Sequence, residues 1–371
     1  MARILMVSKP LQSPWDDSAK NLVRDLVRAG ERHEYRVMGL RGAEPPDPRA
    51  SVDGVYKGTG AYAPSLGQNL RVLRRLFRPD NMDIYHFFFA PNPTTSRAAS
   101  WVRRLKKRKR FVHTICSAPA SYEGIDRLMF GHRVVALSEN TRQALLEHGV
   151  KEVVRIPPAI DGQRRISEEE KRIVREELNL PADRPLVLYA GDYQFSSAAD
   201  TCARAIPEIL AGSDAHFVFA CRIKQELSRL EEQRIKEWVS ARGLAKRVHF
   251  YNELGKIQHL VAAATVQVLP AESLFAKMDI PLVLLESLRE EVPIVIADVL
   301  PLAELLERPV GLAVPPQAPA RLAEAVLELL DSPQQRRDMG REGRALVRRV
   351  YDAPVVAAAY ERLYDELLME I

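Results

Sequence analysis

Three cysteines in 371 residues, Cys116, Cys202 and Cys221, lie too far apart for a disulfide framework, a redox dithiol or the paired thiolates of a zinc site. A reducing compartment suits them. No run approaches the roughly 20 apolar residues that a membrane span takes, and Lys9 comes too early for the apolar core of a signal peptide. These absences predict a soluble, cytoplasmic protein. Charge of one sign is missing as well: 54 Lys and Arg face 49 Asp and Glu, a balance of +5. With no basic stripe interleaved by aromatics, no nucleic-acid partner is expected. A short Asp-x-Asp loop that would hold a metal on a diphosphate is also absent, because Asp16 and Asp17 are adjacent and Asp80 and Asp83 have the wrong spacing. No metal is expected, and there is no internal repeat. What is present is an ordinary apolar share, 46%, in a chain long enough for two cores of roughly 150 to 200 residues each.

Short apolar runs alternate with amphipathic stretches throughout, the rhythm of βαβ units around parallel sheets buried on both faces. The predicted strands include Ile4 to Val7, Ile84 to Phe89, one running from Arg110 that ends just before His113-Thr114, Val134 to Leu137, Leu186 to Ala190, Phe217 to Ala220, Val266 to Leu269 and Ile294 to Ala297. Ala19, Leu22, Val23, Leu26 and Val27 stripe a helix that stops at Gly30, and Ser138 opens another that runs to Gly149. A boundary is expected after Ile156-Pro157-Pro158-Ala159-Ile160-Asp161-Gly162, before the capping box of Ser167 and Glu170. This gives domains 1–162 and 163–350, then a last helix in 351–371. Ser332-Pro333 is expected to cap one further helix. Open parallel sheets in series bind ligands in the crevice at their strand carboxyl ends.

The segment from Pro270 to Leu288 is the most informative. A strand ends at Leu269, a polar loop follows, and a helix opens near Pro281 with four apolar residues from Leu282. Glu286 on that helix needs a donor partner. Two readings fit: a structural ion pair with an arginine, or hydrogen bonds to ligand hydroxyls.

This stretch resembles the signature of glycosyltransferase family four, Glu, seven residues, Glu, within a pattern such as Glu-Gly-Phe-Gly-Leu-Val-Leu-Leu-Glu. The likeness extends from Val135-Ala136-Leu137-Ser138 through Asp161, and from Gly311 to Tyr360 and Tyr364. It implies two Rossmann-like doubly wound α/β domains of the GT-B architecture facing an interdomain cleft, with the last helix crossing back to the first domain. It further implies a metal-independent hexosyltransferase that moves a sugar from a nucleotide-diphosphate donor, with retention, and needs no other cofactor. Glu286 then holds the donor ribose, with Pro281 and Leu282 at the donor-contacting helix start. Met278 stands where the first glutamate belongs, and Asp279 beside it either accepts from sugar hydroxyls or caps the helix.

His113, at a strand end, resembles the family's histidine beside the reacting carbon; the alternative is a packed histidine bonded to backbone. His86, flanked by apolar residues, reads as structural. The family's Gly-Arg and following lysine are lost: Gly191 precedes Asp192, and Phe195-Ser196-Ser197-Ala198-Ala199 follows. Ser196 and Ser197 leave a helix start to face a phosphate, or merely cap that helix. Lys20, with one of Arg222, Lys224 or Lys277, is the expected replacement for the lost cations; a solvated lysine on a helix flank is the other reading of Lys20.

The basic run Trp101 to Arg110 fits either a peripheral contact with an anionic membrane or a solvated helix end. The acceptor class stays open among sugars, lipid-linked sugars and small molecules. A nucleotide-sugar epimerase or phosphorylase of the same architecture, and a non-catalytic nucleotide-sugar-binding relative, remain as alternatives.

Overall fold

The computed structural model describes residues 1–15, 17–58, 65–223, 225–252 and 254–370, with Leu66 described by its backbone alone. They form two compact units, Met1–Asp161 with Phe275–Asp279 and Val350–Ile371, and Gly162–Leu274 with Ile280–Arg349.

In the first unit β1 (Arg3–Val7), β2 (Glu34–Leu40), β3 (Ser51–Tyr56), β4 (Ile84–Phe88), β5 (Arg110–Thr114), β6 (Arg133–Ala136) and β7 (Val153–Arg155) form one sheet in the order 3-2-1-4-5-6-7. All its pairs are parallel. Helices α1 (Ser18–Ala29), α2 (Leu66–Phe77), α3 (Pro93–Leu105) and α4 (Glu139–Glu147) occupy the connections. The second unit starts with α5 (Glu168–Glu177). Its strands β8 (Leu186–Tyr189), β9 (His216–Ala220), β10 (Val248–Tyr251), β11 (Val266–Leu269), β12 (Ile294–Ala297) and β13 (Gly311–Val314) run 10-9-8-11-12-13, again all parallel. Between and after them lie α6 (Ala198–Gly212), α7 (Glu226–Ala241), α8 (Ile257–Ala263), α9 (Leu282–Arg289), α10 (Pro319–Asp331) and α11 (Pro333–Leu346). The last helix, α12 (Ala353–Met369), belongs to the first unit and packs on α1.

Both sheets have the doubly wound Rossmann-like order, as the alternating pattern predicts. Their central strands β4, β8, β11 and β12 are buried along their whole length, which is why they read as unbroken apolar runs. The edge strands β3, β10 and β13 lie outside the predicted set, since half-exposed edges dilute that signal.

Local chemistry fixes the helix ends. Asp17 caps α1 by accepting from the Lys20 N–H, and the Ser167–Glu170 capping box of α5 is complete. Ser332 stands at the N-cap of α11, yet its hydroxyl makes no capping bond; Pro333 presets the first turn instead.

Polar bonds inside the first unit fasten α12. The Glu361 carboxylate accepts from the N–H groups of Glu31 at 2.8 Å and Arg32 at 2.7 Å, and from the Tyr35 hydroxyl at 3.0 Å. Beneath it, His86 is fully buried, with Nδ1 2.6 Å from the Tyr364 hydroxyl and Nε2 2.7 Å from Thr114 Oγ1. Both ring nitrogens are therefore satisfied, and burial pushes the imidazole well below its usual range. Tyr364→Phe leaves one buried nitrogen unbonded, and urea unfolding is expected to show a loss of about 1–3 kcal/mol.

Candidate functional site

Strand order reverses between β8 and β11 in the second unit, so the loops that leave their carboxyl ends, 190–197 and 270–281, flank the switch point. Gly191 follows β8; a side chain there would enter the Tyr189 ring, 2.6 Å from the place of its Cβ. Asp192 is buried and serves the turn: its Oδ1 accepts from the N–H of Phe195 at 2.9 Å and of Gln194 at 3.3 Å. A carboxylate therefore stands next to the glycine where the resemblance leads one to look for an arginine.

The start of α6 is already engaged. Ser197 is its N-cap residue, and the Ser197 N–H donates to Glu272 at 2.8 and 3.1 Å while its hydroxyl donates to the same carboxylate at 2.8 Å. In this structure Ser197 is thus engaged by an in-chain carboxylate, and its hydroxyl makes no capping bond. A negative group from the β11 loop sits where the helix N-terminus favours an anion. Ser196 is half-buried beside it, as is Arg222 after β9, and Lys224 lies outside the described residues.

Glu286 is carried by α9, whose first residue is Leu282 and whose N-cap is Pro281 without a side-chain bond. Asp279 is therefore not the cap of this helix, a correction to that expectation. The helix is held from behind by α11: a Cβ on Gly340 would run into the Glu291 carbonyl, and one on Gly343 would come within 2.8 Å of Leu288. Arg289 pairs with the neighbouring Glu290 at 2.8 Å, both buried, whereas Glu286 stays half-buried with Gln258 Nε2 3.4 Å from its Oε1.

In the first unit the expected site residues gather at the carboxyl ends of β1, β5 and β6. Segment 275–279 pairs with Ala118 through Ala118 N–H to Lys277 O at 2.9 Å and Ala276 N–H to Ala118 O at 3.3 Å. Met278 and Asp279 are buried there, and Asp279 accepts from the Ser138 hydroxyl at 2.7 Å. Ser138 in turn caps α4 by accepting from the Thr141 N–H at 3.1 Å, so a second in-chain carboxylate lies at a helix start. Lys277 is half-buried on the same segment. Lys20 is buried on α1, with its ammonium donating to the Pro14 carbonyl at 2.7 Å and lying 5.7 Å from the centre of the Trp15 ring. Lys9 donates to Asp17 at 2.6 Å. The fields of Asp17 and Asp279 add to burial in pushing the Cys116 thiol far up, which leaves it protonated and unreactive.

His113 is completely buried, stacked on Phe130 at 4.4 Å, with Nε2 3.1 Å from the Phe89 carbonyl oxygen. That bond makes Nε2 the protonated nitrogen and leaves Nδ1 as a buried acceptor with no hydrogen-bond partner among the described residues. Glu272 and Ser138 are the residues that sequence reasoning missed as site members. A carboxylate placed just beyond a switch-point strand was the available signal for Glu272.

The family described as "Glycosyltransferase Family 4" matches residues 18–164, and "Glycosyl transferases group 1" matches residues 170–346. An alpha-D-kanosaminyltransferase of Streptomyces kanamyceticus is 27% identical over 191 residues, which are 50% of this chain and 46% of the relative. The chain thus spans about half the length of the curated relative it matches. Among solved structures, a sucrose-phosphate synthase of Thermosynechococcus elongatus aligns over 100% of both chains at 21% identity with a TM-score of 0.77. Anabaena HepE in complex with UDP aligns over 99% of this chain and 100% of its own at 15% identity and a TM-score of 0.75. The chain has the two Rossmann-like parallel sheets of the GT-B fold, and each unit resembles one of these glycosyltransferase families over most of its length.

Two outcomes are expected. Glu272→Ala strips the Ser197 amide and hydroxyl of a charged acceptor, and chemical denaturation is expected to show a loss of about 1.5–3 kcal/mol. Burial holds His113 down at about 4, against about 6.5 in an unfolded chain. The fold thus favours the neutral ring, so this contribution is complete above pH about 6.5 and is lost as pH falls from there towards 4. Urea midpoints measured across that window fall less steeply in His113→Gln than in the unaltered protein.

Proposed function

We propose that the protein is a glycosyltransferase that moves a sugar from a nucleotide-diphosphate donor to an acceptor hydroxyl, with retention at the anomeric carbon. The observation that carries this reading is Glu286: a half-buried carboxylate on a helix otherwise packed into the second unit, beyond a switch-point strand, at the family's ribose-binding position. Its two oxygens suit the two ribose hydroxyls of a nucleotide. The family matches, one on each side of residues 164 to 170, and the UDP held by the Anabaena relative support the same donor class.

Catalysis in this reading rests on stabilising a leaving diphosphate. Lys20, Arg222 and Lys277 are the cations assigned to that task, with Ser196 and Ser197 at the start of α6. His113 and Asp279 are assigned to the sugar and its acceptor. The neutral imidazole of His113 suits hydrogen bonding to a hydroxyl and does not suit offering a fixed positive charge. In this reading the diphosphate charge falls to side chains and helix starts. The acceptor arrives in solution or from a lipid surface, the latter being what the exposed Trp101 and Leu105 suit. A cytoplasmic setting fits the three buried thiols, and among the described residues no helix is long and apolar enough to cross a membrane.

A second reading, a non-catalytic nucleotide-sugar binder, is favoured by one feature: Asp192 and Glu272 put negative charge into the two loops where a diphosphate wants cations. Titration with a panel of nucleotide-diphosphate sugars, followed by release of the free nucleotide diphosphate, separates the two. Binding without release under any acceptor supports the binder.

Glu286→Ala is expected to weaken the donor about tenfold to a hundredfold by calorimetry, the worth of one or two charged hydrogen bonds. Lys20→Ala is expected to lower both donor affinity and turnover. Unchanged values in that variant restrict Lys20 to its bond with Pro14.

A further inference from the structure

The distribution of charge along the first unit is uneven in one place. Although acids and bases nearly balance over the whole chain, the stretch from Ile84 to Tyr122 contains no Asp or Glu and eight cations: Arg97, Arg103, Arg104, Lys106, Lys107, Arg108, Lys109 and Arg110. Helix α3 turns part of this surplus towards an open pocket of about 450 Å³, within the range of about 300–1,000 Å³ common for ligand sites. Ser100, Arg103 and Arg104 line it from the end of α3, Lys107 from the turn just past the helix, and His132 from the segment before β6.

Every polar side chain of this lining offers a hydrogen. His132 accepts from the Phe111 N–H through Nδ1 at 3.0 Å, so its neutral ring carries the proton on Nε2. Arg103 spends one NH group on the Phe130 carbonyl at 2.8 Å and keeps others. Arg104 and Lys107 are exposed and pair with no carboxylate among the described residues. No acidic residue lines the pocket. Cations near a helix carboxyl end ordinarily offset a dipole worth about half a charge, and three exceed that need.

The neighbouring face of α3 is of a different kind. Trp101 and Leu105, one turn apart, are 65% and 69% exposed, although large apolar side chains usually find cover. The end of α2 adds exposed Phe77, and Lys106 Nζ donates to the carbonyl of Arg78 at 2.7 Å, which ties the two helix ends together. An amphipathic ring, aliphatic side chains and unpaired cations on one edge are the chemistry of a bilayer interface.

We propose that this edge of the first unit docks on an anionic lipid surface, with the pocket between α3 and His132 receiving the phosphate of a lipid headgroup while Trp101, Leu105 and Phe77 enter the headgroup layer. The proposal is independent of any sugar transfer, and its test reads binding alone. The full chain is sedimented at low salt with phosphatidylcholine vesicles, with and without phosphatidylglycerol, and separately titrated with inorganic phosphate and glycerol phosphate. Binding is expected only where phosphatidylglycerol is present. It is expected to fall about thirtyfold in Arg104→Ala/Lys107→Ala, the worth of two cations at such a surface, with an unchanged thermal midpoint. Trp101→Ala is expected to weaken vesicle binding while leaving any response to glycerol phosphate as it was. No sedimentation with anionic vesicles overturns the proposal, as does binding equal in the double variant. Saturable binding of the soluble phosphates without vesicle binding also overturns it, in favour of a free anion.

Discussion

A carboxylate seated on the first turn of a helix governs the second unit. Ser197 gives Glu272 both its amide and its hydroxyl, and the peptide dipoles of α6 add to the attraction. Two loops that leave β8 and β11 in opposite directions are thereby joined at the switch point, where such sheets place their ligands. Neither loop keeps its shape by apolar packing alone: Asp192 bonds the turn before Ser197, and Tyr189 donates its hydroxyl to the Asp192 carbonyl at 2.7 Å. A diphosphate that takes the start of α6 must exchange places with Glu272. Its binding free energy is then the difference between two anions competing for the same donors, which makes the surrounding cations decisive.

The same loop repeats the device in the first unit. Asp279 reaches the start of α4 through Ser138, as Glu272 reaches α6 through Ser197. The bonds between Ala118 and residues 276–277 bring the segment to that place, with Met278 buried beneath it. Losing the family's first glutamate therefore does not leave a gap: the position is filled by an apolar side chain, and the adjoining aspartate has a bonded partner. His113 follows the same logic, being closed in by Phe130 and the Phe89 carbonyl.

Much of this was legible in the residues, and the exceptions have a common cause. Strands buried on both faces betray themselves as apolar runs, so β4, β8, β11 and β12 were plain, and so were helix starts marked by Ser138 and by the Ser167–Glu170 box. The polar residue beside a helix start was not so readable. Asp279 precedes Pro281 by two positions, the spacing of a local cap, but its partner is Ser138, far away in sequence. Ser197 looked open because the carboxylate that occupies it comes from another strand's loop. Periodicity and capping rules report on neighbours in sequence; which distant side chain fills a vacancy depends on strand order, and that is fixed only when the sheet is assembled.

Strand order also explains why 275–279 could not be assigned from composition. Chain segments usually stay with the sheet they grow from, yet this one leaves β11 of the second unit, bonds within the first unit and returns to begin α9. Between Glu272 and Leu282 the segment is anchored by hydrogen bonds to Ser197, Ala118 and Ser138 and by the burial of Leu274, Met278 and Ile280. The backbone bonds contribute about 1 kcal/mol each and the bonds to the two carboxylates about 1.5–3 kcal/mol. The loop thus combines exchangeable bonds with buried apolar anchors, next to a helix α9 on which Gly340 and Gly343 allow α11 to pack closely.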